Sequence, residues 1–418
     1  MTPGHTAALP LAQAVRVFAA FAFAYFLSAL LRAVTATLAP VFSTEIGIGA
    51  SQLGLLAGAY FLGFAAMQLP LGTALDHWGP RRVVVVLMSL AAIGSALFAV
   101  ATTLSGLVAA RGLIGVGVSA CLMAPLTCYR RLYTPIGQLR ANSWMLMTGS
   151  FGMVASTTPV QALLPTLGWR GLFWLMAAAI VVAMLMVALV VPKDPATSRA
   201  PTADVEGYGR IVGHPLFRAL APLGLVGYGG MIAVQALWAG PWLTRVSGWT
   251  AREASTGLMV INLCMLAAFA SWGWLMPYLV RRGVRPTQLI VVAYPASILM
   301  LFGCAILGPG AAAWHWAVWC VLSTVLAPSQ PAIGMAFRLG SVGRALSAYN
   351  LLIFAGVFCV QWGVGLAIDA LMRSGVGEID AFRAAVAGQA VASMAAYLWF
   401  LKHMRAIPDN ASPSSSAS

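Results

Sequence analysis

Tyr25, Ser28 and Arg32 recur at i, i+3 and i+7, a spacing that lines them along one face of a helix. A guanidinium presents a planar fork of N–H donors that grips a carboxylate or phosphate through two parallel hydrogen bonds, and hydroxyls beside it add further contacts. Such a stripe binds an anion and has no means of transforming one. A second stripe, Tyr228, Met231, Gln235 and Trp238, has a similar form, and Tyr60, Asn262, Asn350 and Gln361 place further polar groups in apolar surroundings. For the amides, hydrogen bonding between helices accounts for the residue type equally well. The sign of the available charge discriminates between ligands. Asp76, Glu253 and Asp369 sit at or near the ends of apolar runs, and no other carboxylate and no mid-depth histidine is associated with them. A cation would meet an arginine and no counter-ion, so the expected ligand is a small organic anion held by Arg32. The competing role for Arg32 is a pairing with helix-end carbonyls or a lipid headgroup.

The elements that must position these groups follow from composition. Of 418 residues, 61% are hydrophobic and 8% charged, against about 45–50% and about 25% in soluble domains. A soluble fold is excluded. Twelve stretches approach the roughly 20 apolar residues that a spanning helix needs: 14–41, 52–74, 83–103, 105–127, 141–163, 170–191, 219–243, 255–276, 287–308, 313–336, 345–370 and 382–402. The first is too long for a signal peptide and carries Arg32, so it is expected to be retained. Arg32 lies about 6 Å beyond the middle of that span at 1.5 Å per residue, too deep to reach the surface easily, and charges at such depth line a pathway or pair internally. The six cysteines lack metal-ligand spacing and read as packing residues, so no metal or cofactor is expected. The net charge of +14 could suggest nucleic acid. Its placement argues otherwise. With both termini in the cytoplasm, 17 Lys and Arg lie inside, five outside and two, Arg32 and Arg111, in the membrane; this is the positive-inside bias, with attraction to anionic lipid as a possible addition.

Between the second and third spans runs Gly72, Thr73, Ala74, Leu75, Asp76, His77, Trp78, Gly79, Pro80, Arg81, Arg82. Gly72 and Gly79 permit a tight reversal and close helix approach, Asp76 suits a helix N-terminus, and Arg81 and Arg82 mark the cytoplasmic side. The longest polar connection, 192–218, divides the chain into six spans (1–191) and six (219–404), followed by a serine-rich tail, 405–418, read as disordered. A weak copy of the charged turn follows Gly273, and Gly72 with Gly273 and Pro40 with Pro241 share one offset of 201 residues. The chain reads as a duplicated six-helix unit. The copy is degenerate, with Pro277 where the first half has Asp76.

The Gly72–Arg82 run resembles the loop between helices two and three of the major facilitator superfamily of secondary transporters. Arg111, Gly112, Gly115 and Gly117 resemble that family's arginine-and-glycine motif, and Gly168, Trp169 and Arg170 a common start to helix six. Gly149, Gly152 and Pro159 match its antiporter motif only in part, because Thr158 replaces the expected glycine. The resemblance implies an all-α integral membrane protein of twelve transmembrane helices in two pseudo-symmetric six-helix bundles, working as a monomer in a bacterial inner membrane by alternating access. It implies gating roles for Gly72, Asp76, Gly79, Arg81 and Arg82, against which orientation and turn formation are the plain alternative. For Arg111 it implies proton-linked conformational change, against a packing role. A proton relay normally uses intramembrane Asp, Glu or His, so any proton coupling here would run through a peripheral acid or the cargo itself. Export of hydrophobic or cationic drugs is the alternative within transport. A polytopic membrane enzyme is the alternative outside it, disfavoured because no catalytic constellation assembles in the sequence.

Overall fold

The computed structural model describes residues 9–192, 207–338 and 341–404. Most of the expected connection 192–218, the 193–206 stretch, and the tail expected at 405–418 lie outside the described residues. Every described element is a helix: α1 (Leu11–Glu45), α2 (Ala50–Ala66), α3 (Gln68–Val100), α4 (Leu104–Val118), α5 (Met123–Leu132), α6 (Pro135–Ala155), α7 (Thr158–Val190), α8 (Tyr208–Gly213), α9 (Pro215–Val246), α10 (Ala251–Arg281), α11 (Pro286–Leu307), α12 (Ala313–Ser323), α13 (Ser329–Met335), α14 (Val342–Arg373) and α15 (Glu378–Met404). Ten helical runs among the described residues are long and apolar enough to cross a bilayer.

Two of those runs fold back on themselves. Inside α3, Gly79 adopts φ 76° and ψ 158°, and inside α7 Gly168 adopts φ 62° and ψ 171°. A side chain is disfavoured at such φ, so glycine sets where the chain reverses. The sequence places the first reversal across Gly72–Arg82, but helix continues through Trp78 and the turn falls on Gly79. Gly72 lies within the helix, and a Cβ added there would meet nothing within 4 Å, so it makes no close helix approach.

Prolines account for the other interruptions. A proline lacks an N–H and crowds the carbonyl four residues earlier. Pro70 follows the break between α2 and α3 at Met67, Pro125 the four turn residues between α4 and α5, and Pro159 the step at Ser156–Thr157 between α6 and α7. The spans expected at 105–127 and 141–163 are therefore broken rods.

The internal repeat extends to backbone conformation. Gly47, after α1, and Gly248, after α9, both take positive φ, 70° and 72°, and are separated by the same 201 residues that separate Pro40 from Pro241. α9 departs from regular α geometry in three wide-turned π segments, Leu223–Tyr228, Val234–Trp238 and Trp242–Val246.

In lipid, where burial of apolar surface does not drive helices together, close approach depends on small residues. The spaced glycines supply it. A Cβ on Gly115 of α4 would collide with the Tyr60 carbonyl of α2, and one on Gly152 of α6 with the Phe26 carbonyl of α1. On α2, Gly54 abuts the Gln361 carbonyl and Gly58 the Phe358 ring of α14, while Gly365 of α14 abuts the Ala50 carbonyl. Gly240 of α9 lies against the Ala36 carbonyl of α1. These last contacts draw the halves together at the end of the molecule that carries the α1–α2, α9–α10 and α14–α15 turns. Toward the opposite end a cavity of about 810 Å³ lies open, lined on α10 by Ala270, Ser271, Leu275, Tyr278 and Arg281.

Because Gly115 packs backbone to backbone, Gly115→Val should cost about 1–3 kcal/mol through overpacking, measured as a lower thermal midpoint of the detergent-purified protein. An unchanged midpoint would show that α2 and α4 are not in contact there.

Candidate substrate site

Arg32 lies 13 residues before the end of α1, about 20 Å along the axis at 1.5 Å per residue. It is partly buried, and the hydroxyls of Tyr25 and Tyr60 flank its guanidinium. Its Cζ lies 5.8 Å from the centre of the Phe64 ring, within cation–π range. Its Nε is buried without a hydrogen-bond partner, and so is the hydroxyl of Ser28, one turn earlier on the same face. Buried polar atoms are nearly always satisfied. Two unsatisfied ones at this spacing leave donors available for a ligand. Tyr228 of α9, partly exposed, lies within electrostatic range of Arg32 from the opposite half.

Tyr60 fixes this arrangement. Nothing in the sequence joins it to Arg32; the structure buries it completely between α1, α2 and α4. Its hydroxyl donates to the Ser28 carbonyl at 3.1 Å. Arg111 of α4 stands over the Tyr60 ring, with Cζ 5.2 Å from its centre. Arg111 itself is 1% exposed and donates to the Leu31 carbonyl at 3.0 Å and the Thr35 hydroxyl at 2.6 Å, its Nε being without a partner like that of Arg32. Those acceptors flank Arg32 in sequence, so Arg111 clamps the turn of α1 that carries it. Glycine at 115 and 63 lets α2 and α4 approach closely enough for this.

The other expected binding residues form a separate network. Gln235 donates to Asn262 at 2.9 Å, and Asn262 donates to the Met153 carbonyl at 3.4 Å. Trp238 donates through its indole to the Gln361 carbonyl at 3.2 Å, and Gln361 to the Ala233 carbonyl at 3.4 Å. All four side chains are buried and join helices to one another. Asn350 accepts from Gln330 at 2.9 Å, between α14 and α13. Of the expected gating residues, Asp76 and Arg82 are exposed and Arg81 is half-buried. Asp76 makes no hydrogen bond or ion pair with described residues.

Several contributors were not legible in sequence. Phe64 meets Phe354 of α14 edge-on at 4.6 Å, an aromatic contact across the two halves beneath the guanidinium. Glu45 accepts from the Trp169 indole at 2.8 Å, and Arg245 pairs with Glu378 at 2.9 Å. Apart from generic amphipathicity, no sequence signal joins residues 124 or 133 positions apart. Among the described residues the six carboxylates, Glu45, Asp76, Glu253, Asp369, Glu378 and Asp380, all lie at helix ends or beside the turns.

The geometry is that of a bundle with a charged, unsatisfied site between its halves, and the sequence profile described as Major Facilitator Superfamily matches residues 21–361. The chain belongs to that superfamily. It is accordingly an integral membrane protein of secondary-transporter type. Among curated relatives it is 28% identical to a probable sulfoacetate transporter, SauU, of Cupriavidus necator over 37% of this chain and 36% of the relative. It is 28% identical to the multidrug resistance protein MdtL of Escherichia coli over 40% and 42%, and 26% identical to a triacylglyceride transporter of Mycobacteroides abscessus over 56% and 46%. The chain thus spans about a third to a half of the length of these relatives. The superfamily fold is shared over nearly the whole chain with a bacterial homologue of the human lysosomal transporter Spinster in an inward-facing conformation (TM-score 0.73, 18% identity, covering 95% of this chain and 98% of that one). It is shared likewise with the nucleoside transporter NupG (TM-score 0.70, 13% identity, 94% and 99%).

Replacing Arg111 leaves the Thr35 and Leu31 acceptors of α1 buried and empty, whereas Arg32 lies beside two phenols, of which Tyr60 keeps its bond to the Ser28 carbonyl. Arg111→Gln should therefore destabilise the protein by about 1–3 kcal/mol and Arg32→Gln by much less, compared by thermal unfolding in one detergent. Equal losses would contradict the division of roles.

Proposed function

We propose that the chain is a twelve-helix carrier in which two six-helix bundles, residues 1–191 and 219–404, rock about a central site that holds a small organic anion at Arg32. The observation that carries this reading is the pair of unpartnered buried groups, Arg32 Nε and Ser28 Oγ, one turn apart between Tyr25 and Tyr60. The rod count of twelve follows from counting the halves of α3 and α7 separately on either side of Gly79 and Gly168. With the basic residues assigned to the cytoplasm, both termini lie inside, and the seam at the Gly54–Gln361 contact closes the outer face. The cavity beside α10 then opens inward, toward the cytoplasm of a bacterial inner membrane, and the working unit is a monomer.

In this reading a bound anion contacts α1 and α2 in one half and α9 in the other. A ligand shifts a conformational equilibrium only by its differential affinity for the two states, and contacts reaching both halves supply that difference. Asp76, Arg81 and Arg82, together with the glycines at 72 and 79, belong to the inner gate, which stands released when the outer seam is closed. Arg111 holds the α1 turn in place. The amides Gln235, Asn262 and Gln361, with Trp238, support the site from the opposite half, and Asn350 lies along the path. With no acid beside the guanidinium, a proton would enter the cycle on the cargo or at a peripheral carboxylate.

A second reading, a proton-linked exporter of drugs or metabolites, draws support from the similarity to MdtL and from the aromatic wall of Tyr60, Phe61, Phe64 and Phe354. Proteoliposome flux separates the two. Carboxylates and sulfonates, but not lipophilic cations, should show saturable uptake. Arg32→Gln should lower kcat/KM for them roughly tenfold to hundredfold, the value of a charge-assisted hydrogen bond of about 1.5–3 kcal/mol. Saturable flux of cations alone, unaffected by Arg32→Gln, would favour the exporter and overturn the anion site.

A further inference from the structure

A charged contact crosses the seam between the halves. The Asp369 carboxylate, near the end of α14, accepts hydrogen bonds from the backbone N–H groups of Ala50, at 3.2 Å, and Ser51, at 2.9 Å. These are the first two residues of α2. The first four N–H groups of a helix have no partner within it, and the aligned peptide dipoles place partial positive charge there, so an anion is favoured at that end. Helices commonly satisfy these donors with their own capping side chain. The residue in the capping position here is Gly49, which has none. The carboxylate comes instead from 319 residues away, on the other half of the molecule.

Its surroundings separate it from an incidental surface contact. A Cβ on Gly49 would lie 3.4 Å from the Asp369 carboxylate, so the cap position is open enough for the acid to enter. Arg373, one turn on, donates its Nε to the Asp369 backbone carbonyl. Of the other acids and bases at this end of the protein, Glu45 is engaged with Trp169, Arg170 with Trp169 and the Ala101 carbonyl, Arg245 with Glu378, Glu253 with Thr250, and Arg383 with Asp380 and the carbonyls ending α11, while Arg252 is exposed. Directly below lies the glycine seam, where Gly54 and Gly365 let α2 and α14 touch backbone to backbone. Separating the helices at this end removes the carboxylate from the α2 amides and exposes both to water.

We propose that Asp369 is a latch: it caps α2 in trans only while this end of the transporter is closed, and so sets the balance between the closed and open states of that end. The latch is independent of what Arg32 binds. Its chemistry is a charge-assisted hydrogen bond to a helix terminus, so neutralising the acid while preserving its shape weakens it, and removing an amide donor on α2 weakens it from the other side. Ala50→Pro does the second. Proline is favoured at the first position of a helix, and Gly49 already has the extended backbone, φ −77° and ψ −178°, that precedes proline comfortably.

The test is electron–electron resonance distance measurement between spin labels at Thr44 and Ile379, which are exposed on opposite halves at this end, with Cys264 and Cys359 replaced by serine. Asp369→Asn should raise the open-to-closed ratio of this end about three- to tenfold, in line with the strength of a charged group at a helix terminus. Ala50→Pro should do the same, and the double variant should add little to either single one, because both remove one interaction. Glu378→Gln, which neutralises an acid at the same end paired within its own half, should leave the ratio unchanged. Additive shifts from Asp369→Asn and Ala50→Pro, an equal shift from Glu378→Gln, or no shift from Asp369→Asn would each overturn the latch. Size-exclusion profiles matching the parent's establish that each variant is folded.

Discussion

Two guanidinium groups lie in the apolar interior of this protein with no described carboxylate at their depth, and the local structure follows from how each is accommodated. An isolated charge in such a setting is costly, and pairing with an acid is the usual remedy. Here the remedy is neutral. Arg111 takes a backbone carbonyl, a threonine hydroxyl and the face of Tyr60, and is sealed from solvent. Arg32 takes two phenols and the face of Phe64 and retains an unpartnered Nε. Both keep an unpartnered Nε, but Arg111 gives its two terminal nitrogens to α1 and so holds helices together. Arg32 makes its polar contacts to the phenols of Tyr25 and Tyr60, with Tyr228 of the other half within electrostatic range.

That difference depends on helix approach, which depends on glycine. Gly115 and Gly63 bring α4 against α2, which places Tyr60 between the guanidiniums. Gly54, Gly58 and Gly365 bring α2 against α14, which closes one end and seats Phe64 against Phe354. The same α2 therefore has two allegiances. It is fixed to α4 through contacts within its half and meets α14 through contacts that must part when the closed end opens. Alternating access needs interfaces of both kinds, and they occupy different faces of one helix.

The sequence made the membrane class, the repeat and the Tyr25–Ser28–Arg32 face legible because each rests on local periodicity: 20-residue apolar runs, a 201-residue offset, and the 3.6-residue turn. It did not reveal how Tyr60 joins Arg32, because that depends on the spacing of α2 and α4, nor that Gln235 and Asn262 satisfy one another. Gly72 and Gly79 looked alike as residues. Only backbone conformation distinguishes the one that reverses the chain. The prolines at 70, 125 and 159 carried a usable signal for the broken rods, which apolar run length alone obscures. Asp369 was visible as a helix-end acid, but its partner lies in the opposite half of the chain.

The central claim is that the sign of the charge at position 32 selects the sign of the cargo. Its most direct measurement is the equilibrium binding of matched organic anions and cations to purified Arg32→Glu, alongside the parent protein, by titration calorimetry. The account predicts that the parent binds the anion and that the charge-reversed protein loses it and gains measurable affinity for the cation. Anion affinity that survives the reversal unchanged would contradict it.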